Sequence, residues 1–171
     1  SAWGRPNSYA AAALLSRMYF LNQDCAQAKK WAMVVINSTA YSLESDVNSL
    51  FKNLNDVNNE TIFAITRSAN NLGNINEDLL PPSLGGSGNY RVPSSFLTNF
   101  DSLDRRIEVF LTEEDDRYYV TKFWDEINES DGGTTSVDFP IIRFADILLM
   151  YAECENEINN DNLCQYVRCL L

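Results

Sequence analysis

Apolar positions near the start of the chain recur with helical spacing. Ala10, Ala13, Leu14, Arg17, Met18 and Leu21 fall on a 3.6-residue repeat. Ala28, Trp31, Ala32, Val35 and Ile36 form a second stripe at i, i+3, i+4, i+7 and i+8. Between the stripes, Asn22-Gln23-Asp24 reads as a tight turn, with Asp24 a good N-cap. Pro6 suits the first turn of the first helix. A turn this short makes the two helices antiparallel neighbours, so the pattern predicts a helical hairpin over 6–37. The small residues Ala10-Ala11-Ala12-Ala13 let another helix approach closely.

Downstream the pattern loosens. Residues 38–59 are rich in Asn, Ser and Asp, with Tyr41, Leu43, Leu50, Phe51 and Leu54 as apolar anchors. Glu60-Thr61-Ile62-Phe63-Ala64-Ile65-Thr66 is short, apolar and β-branched, which reads as one strand or an extended buried segment. Residues 68–95 read as a long irregular loop, carried by Asn70-Asn71-Leu72-Gly73 and Gly85-Gly86-Ser87-Gly88-Asn89-Tyr90. A short helix is expected over 93–100, a charged turn over 101–106 and an extended run over 117–125. Asp131-Gly132-Gly133 marks another loop. An amphipathic helix is expected over 141–158, with Phe144, Ile147, Leu148, Tyr151 and Ile158 on one face. Residues 159–171 suit a further helix. The fold class is therefore mainly α with long irregular loops and little β, organised as a single domain over 1–171.

Composition narrows the function. With 13 basic and 24 acidic residues the net charge is −11, which argues against nucleic acid and against an anionic membrane surface. There is no histidine among the 171 residues, which removes Ser-His-Asp and Cys-His catalysis and imidazole metal sites. Cys25, Cys154, Cys164 and Cys169 show no Cys-x-x-Cys spacing and read as free or buried thiols. No stretch approaches the roughly 20 apolar residues of a membrane span. No cofactor motif is present; Gly85-Gly86-Ser87-Gly88 lacks the lysine and following helix of a phosphate loop.

The candidate chemistry is that of binding. Glu113-Glu114-Asp115-Asp116 reads as a solvated acidic loop rather than a catalytic pair. Asp101 and Asp104 lack the loop pattern of a calcium site, so no metal site is expected. Asp104-Arg105-Arg106 reads as a structural salt-bridge cluster. The 3 Trp, 8 Tyr and 9 Phe are more suggestive, because sugar rings stack their C–H faces on aromatic rings while Asn, Asp and Arg pair with hydroxyls. Trp31 lies on an apolar stripe and reads as core. Tyr90, Tyr118, Tyr119 and Trp124 lie in irregular or extended segments and are the expected ligand-facing residues.

The segment Pro140-Ile141-Ile142-Arg143-Phe144-Ala145-Asp146-Ile147-Leu148-Leu149-Met150-Tyr151-Ala152-Glu153, with Asn156-Glu157 behind it, resembles a long helix signature of the SusD/RagB family of Bacteroidetes nutrient-binding lipoproteins. The turn Asn22-Gln23-Asp24-Cys25 with Ala28, the run Glu60 to Phe63, and Asp101, Asp104 and Arg106 resemble that family in the same order. The hairpin itself resembles a tetratricopeptide-type unit. The resemblance implies tetratricopeptide-like helical hairpins and no enzymatic activity. It implies a cell-surface binder of oligosaccharide or oligopeptide that works with a SusC-type TonB-dependent transporter in the outer membrane. It also implies a lipid anchor outside this chain. An alternative is a structural interaction module of the same complex; a carboxylate-based hydrolase is a third reading.

Overall fold

A computed structural model describes residues 4–51, 58–67, 74–101, 103–124 and 134–159. Along the chain run α1 (Ser8–Leu21), α2 (Cys25–Ile36), α3 (Asn48–Phe51), β1 (Thr61–Ile65), a 3-10 turn (Pro82–Leu84), α4 (Ser94–Leu97) and α5 (Arg106–Phe110). They are followed by β2 (Leu111–Glu114), β3 (Arg117–Val120), β4 (Phe139–Arg143) and α6 (Phe144–Asn159). The fold is mainly helical, as expected. Leu54, the loops at 70–73 and 131–133, the expected helix beyond Asn159, and Cys164 and Cys169 lie outside the described residues. The chain divides into two compact units: Ser1–Glu44, Val57–Ile65 and Pro140–Leu171 form the first, and Ser45–Asp56 with Thr66–Phe139 the second.

The first unit is built on the hairpin. Asn7 caps α1, its Oδ1 accepting from the Ala10 N–H at 2.8 Å. Pro6 thus precedes the cap instead of sitting in the first turn. Asp24 caps α2 as expected, accepting from the Gln27 N–H at 3.1 Å. Ala10, Ala12, Ala13 and Ser16 are buried, and the Ser16 hydroxyl donates to the Ala28 carbonyl of α2 at 2.9 Å. Small side chains permit that approach. One expectation is corrected here: Leu14, Met18 and Leu21 face outward, 41%, 64% and 71% exposed, instead of lining the core.

α2 and α1 both pack on α6, and the core joins Ala13, Ala32, Val35, Ile62, Ile142 and Ile147. α6 starts later than its periodicity suggests. Ile141, Ile142 and Arg143 belong to β4, which pairs with β1. β-branched residues after a proline favour the extended chain. The inward face of α6 also differs from the expected one. Phe144, Ile147, Met150 and Cys154 are buried, whereas Ile158 is 48% exposed.

A polar frame fixes the start of α6. The Asp146 carboxylate accepts from the Arg143 N–H at 3.0 Å, the reciprocal half of a capping box. Arg143 donates to Glu60 Oε1 at 3.1 Å, and the Glu60 side chain is only 3% exposed. Glu60 Oε2 accepts from the Glu44 N–H at 3.1 Å, and its backbone carbonyl accepts from Phe144 N–H at 2.7 Å. Arg17 reaches from α1 to the Ile141 carbonyl at 3.3 Å and to Asp146 at 3.6 Å.

In the second unit, β2 and β3 form an antiparallel hairpin with Glu113 opposite Tyr118 and Glu114 opposite Arg117. Asp115 and Asp116 make its two-residue turn at φ 51° and 58°, the positive values a type I′ turn needs. The acidic run is therefore a hairpin tip rather than a free loop. Residues 101–106 hold the expected salt bridge, with the Arg106 guanidinium on Asp104 and stacked over Phe100 at 5.2 Å. That guanidinium holds the Asp104 carboxyl below the usual carboxylate range. Phe51 meets Phe110 and Phe123 edge-on at 5.3 Å and 5.7 Å, with the Lys122 ammonium over the Phe51 ring at 4.0 Å.

The segment 74–90 is tightly folded rather than irregular throughout. Gly85 caps the 3-10 turn at φ 81°, and Gly88 donates to the Leu80 carbonyl at 2.9 Å. A Cβ on Gly86 would lie 2.2 Å from the Leu80 carbonyl oxygen and 2.7 Å from its carbon. Those are backbone atoms of a residue 1% exposed, so they cannot swing aside. Gly86→Ala is expected to lose roughly 1–3 kcal/mol in chemical denaturation, against about 0.5 kcal/mol or less for the neighbouring exposed Ser87→Ala. Equal midpoints for the two variants would contradict this packing.

Candidate functional site

The four expected ligand-facing aromatics all fall in the second unit, and the fold treats them differently. Tyr90 is 64% exposed. Its backbone N–H donates to the Asp78 carbonyl at 3.0 Å, and the adjacent Asn89 amide donates to the Asp78 carboxylate at 2.7 Å. Two residues on, Val92 forms a bridge to Tyr118, its N–H donating to the Tyr118 carbonyl at 2.8 Å. The Tyr90 loop is thereby tied to the β2–β3 hairpin.

Tyr118 is half-buried and its hydroxyl donates to Glu113 at 2.8 Å across the hairpin. That hydrogen bond raises the phenol's pKa above its ordinary value, so the hydroxyl stays protonated. Tyr119 is a correction: it is 4% exposed and belongs to the interior. Successive side chains of a strand point to opposite faces, so Tyr118 and Tyr119 cannot share one surface. The Tyr119 ring lies 3.0 Å from where a Cβ on Gly88 would sit, which fits a glycine there at φ +59°. Trp124 is half-buried in the turn after β3, its backbone N–H donating to the Thr121 carbonyl at 3.0 Å.

The structure thus places Tyr90 and Tyr118 on connected elements and withdraws Tyr119. It adds polar groups that sequence reasoning did not single out. Asn89, Asp78 and Glu113 hydrogen-bond beside the tyrosines, and the Ser83 hydroxyl donates to Glu114 at the hairpin tip. The Asn89-Tyr90 pairing inside the loop was the available signal. An exposed aromatic ring beside amides and carboxylates suits a neutral, hydroxyl-rich ligand, with the ring taking an apolar face and the polar groups fixing orientation.

The first unit carries a groove of about 690 Å³ between the α1–α2 turn and the end of α6, lined by Phe20, Leu21, Gln23, Cys25, Glu153, Glu157 and Ile158. Among the described residues no group of three or more Cys, Asp or Glu converges as a metal site, and no helix is long and apolar enough to cross a membrane.

Comparison with known proteins agrees with the motif reading. Residues 107–170 match the model of the SusD family. The SusD-like protein P25 of Formosa agariphila is 25% identical over 216 residues, covering 96% of this chain and 41% of its own length. A SusD superfamily protein of Parabacteroides distasonis superposes with a TM-score of 0.79 at 21% identity, covering 94% of this chain and 42% of the other. A structure solved with a xylogluco-oligosaccharide superposes at 0.75 with 18% identity, covering 91% of this chain and 41% of the other. A SusD-like carbohydrate-binding protein of Bacteroides fragilis superposes at 0.71 with 20% identity, covering 91% and 41%. The chain therefore spans about two fifths of the length of these relatives. The match over residues 107–170, the SusD-like relative and the shared fold make this chain similar to proteins of the SusD family.

Proposed function

We propose that the protein binds an oligosaccharide at the cell surface, without chemical change, and delivers it to a SusC-type TonB-dependent transporter in the outer membrane. The observation that carries this reading is the exposed Tyr90 ring, with Asn89–Asp78 beside it and Tyr118–Glu113 on the strand bridged to its loop. Tyr90, Tyr118 and Trp124 are its proposed ligand contacts. The oligosaccharide-bound relative supports the ligand class. Membrane attachment would come through a lipid anchor outside these residues.

A second reading has its own observation. Leu14, Leu15, Met18 and Leu21 expose an apolar face on α1, which suits packing against another protein segment. On this reading the chain is a structural interaction module, or an oligopeptide binder, of the same complex.

A glycan-array screen of the full-length protein, followed by calorimetry on the hits, separates the two. The glycan reading predicts at least one oligosaccharide class bound. Peptide binding with no oligosaccharide bound overturns it in favour of the second.

A further inference from the structure

The charge around Tyr90 is one-sided. The loop 77–92 and the β2–β3 hairpin carry six carboxylates, on Glu77, Asp78, Glu113, Glu114, Asp115 and Asp116, against two guanidinium groups, on Arg91 and Arg117. Arg117 stands opposite Glu114 across the hairpin, so its charge already faces a carboxylate. Asp78 sits beside Tyr90: its carboxylate accepts from the Asn89 amide and its backbone carbonyl from the Tyr90 N–H. Glu113 stands opposite Tyr118, which bridges to Val92, so Glu113, Tyr118 and Val92 form one row across the strands. The Ser83 hydroxyl on Glu114 ties the acidic end of the hairpin to the same loop. Hydrogen-bonding capacity leans the same way. The Tyr118 hydroxyl gives its one proton to Glu113. An ionised carboxylate offers about four lone-pair sites, so Asp78 and Glu113 can accept further donors.

We propose that this surface selects oligosaccharides by charge, taking those built of neutral or amino sugars and rejecting those that carry uronate or sulfate groups. The proposal rests on the reading that oligosaccharide binds at the Tyr90 surface. A neutral sugar brings hydroxyl donors to the carboxylate lone pairs and a C–H face to the Tyr90 ring. A free amino group adds to this. Its ammonium is a cation with three donors, which pairs with a carboxylate and is attracted to the face of an aromatic ring. A uronate or sulfate instead brings acceptors and negative charge to a surface already rich in both. It meets like charge from Asp78 and Glu113 at close range. At low salt it also meets the charge of the hairpin tip, because screening is weak there beyond about 10 Å. Arg91 is the exposed guanidinium next to Tyr90, and it would have to hold such a group against the neighbouring carboxylates. The chain's net charge of −11 adds repulsion of an anionic polymer at longer range.

The test exposes the full-length protein, at roughly 20 mM salt, to an array of neutral, free-amine, uronate and sulfated oligosaccharides. Calorimetry then compares the strongest neutral or amino hit with the same oligosaccharide after its primary hydroxyls are oxidised to carboxylates. Neutral or amino glycans are the expected hits. The oxidised form is expected to bind about tenfold weaker or worse, and the gap to shrink to about threefold or less at roughly 0.5 M salt. The triple variant Glu77→Gln, Asp115→Asn, Asp116→Asn removes three charges, and asparagine tolerates the positive φ of the turn. It should narrow the gap at low salt by about threefold, with the unoxidised glycan held within about twofold of its original affinity. Three results would overturn the charge selection while leaving oligosaccharide binding in place: a uronate or sulfated glycan as the strongest hit, equal affinity for the two forms at low salt, or a gap unmoved by salt or by the triple variant. An array with no hit of any kind defeats the binding reading, and this proposal falls with it.

Discussion

Arg143→Ala is expected to destabilise the first unit by about 3–5 kcal/mol, the cost typical of stripping one partner from a buried ion pair. The reason lies with Glu60, not with the arginine itself. Glu60 is 2% exposed, and Arg143 is the cation it meets. Removing the guanidinium leaves a carboxylate out of water that still accepts from the Glu44 N–H. Replacing both residues by apolar ones of similar size, as in Glu60→Leu with Arg143→Met, is expected to cost less than Arg143→Ala alone, because no charge is then stranded. Chemical denaturation of the three proteins checks the order. A single variant milder than the double one would show that Glu60 finds water or another cation.

Ile147→Ala carries the second large effect, about 2–5 kcal/mol. Ile147 is fully buried among the alanines of α1 and α2 and the β-branched residues of β1 and β4. The alanines cannot lengthen to refill the space. Ile158→Ala, on the same helix but 48% exposed, is expected to change stability by about 0.5 kcal/mol or less. The pair of variants tests which face of α6 is inward. Equal losses would contradict the face described above.

These two residues also mark how far the sequence could be read. The helical hairpin was legible because Asp24 ends one periodic stripe and starts another. The strand Thr61–Ile65 was legible from its β-branched run. The buried face of α1 was not. Its alanine and leucine rows both fit a 3.6-residue period, and the choice fell to close helix packing, which favours the smaller row. Residues 141–143 followed the helix's apolar pattern, yet Pro140 and two isoleucines favoured a strand. The Asp115-Asp116 turn was hidden by its charge, which reads as solvation, although Asp tolerates positive φ. Pairing of Glu60 with Arg143 spans about half of the chain, 83 of 171 residues, and has no local signal.

The candidate site was legible in part. An exposed Tyr90 follows from its Gly- and Asn-rich surroundings. The burial of Tyr119 follows from strand alternation once the β3 register is known, and a run of two tyrosines cannot reveal that register by itself. Asn89 meets Asp78 within its own segment and Glu113 meets Tyr118 within the hairpin, and what joins the two pairs is the Val92–Tyr118 bridge, a contact between distant segments.

The most direct test of oligosaccharide binding through the Tyr90 surface is calorimetry of the full-length protein and its Tyr90→Ala variant with the oligosaccharide that binds best. Loss of one stacking ring is expected to weaken affinity about 5- to 30-fold, an aromatic contact of roughly 1–2 kcal/mol, with the unfolding midpoint unchanged. Undiminished affinity in Tyr90→Ala would contradict the account and move the ligand elsewhere on the protein.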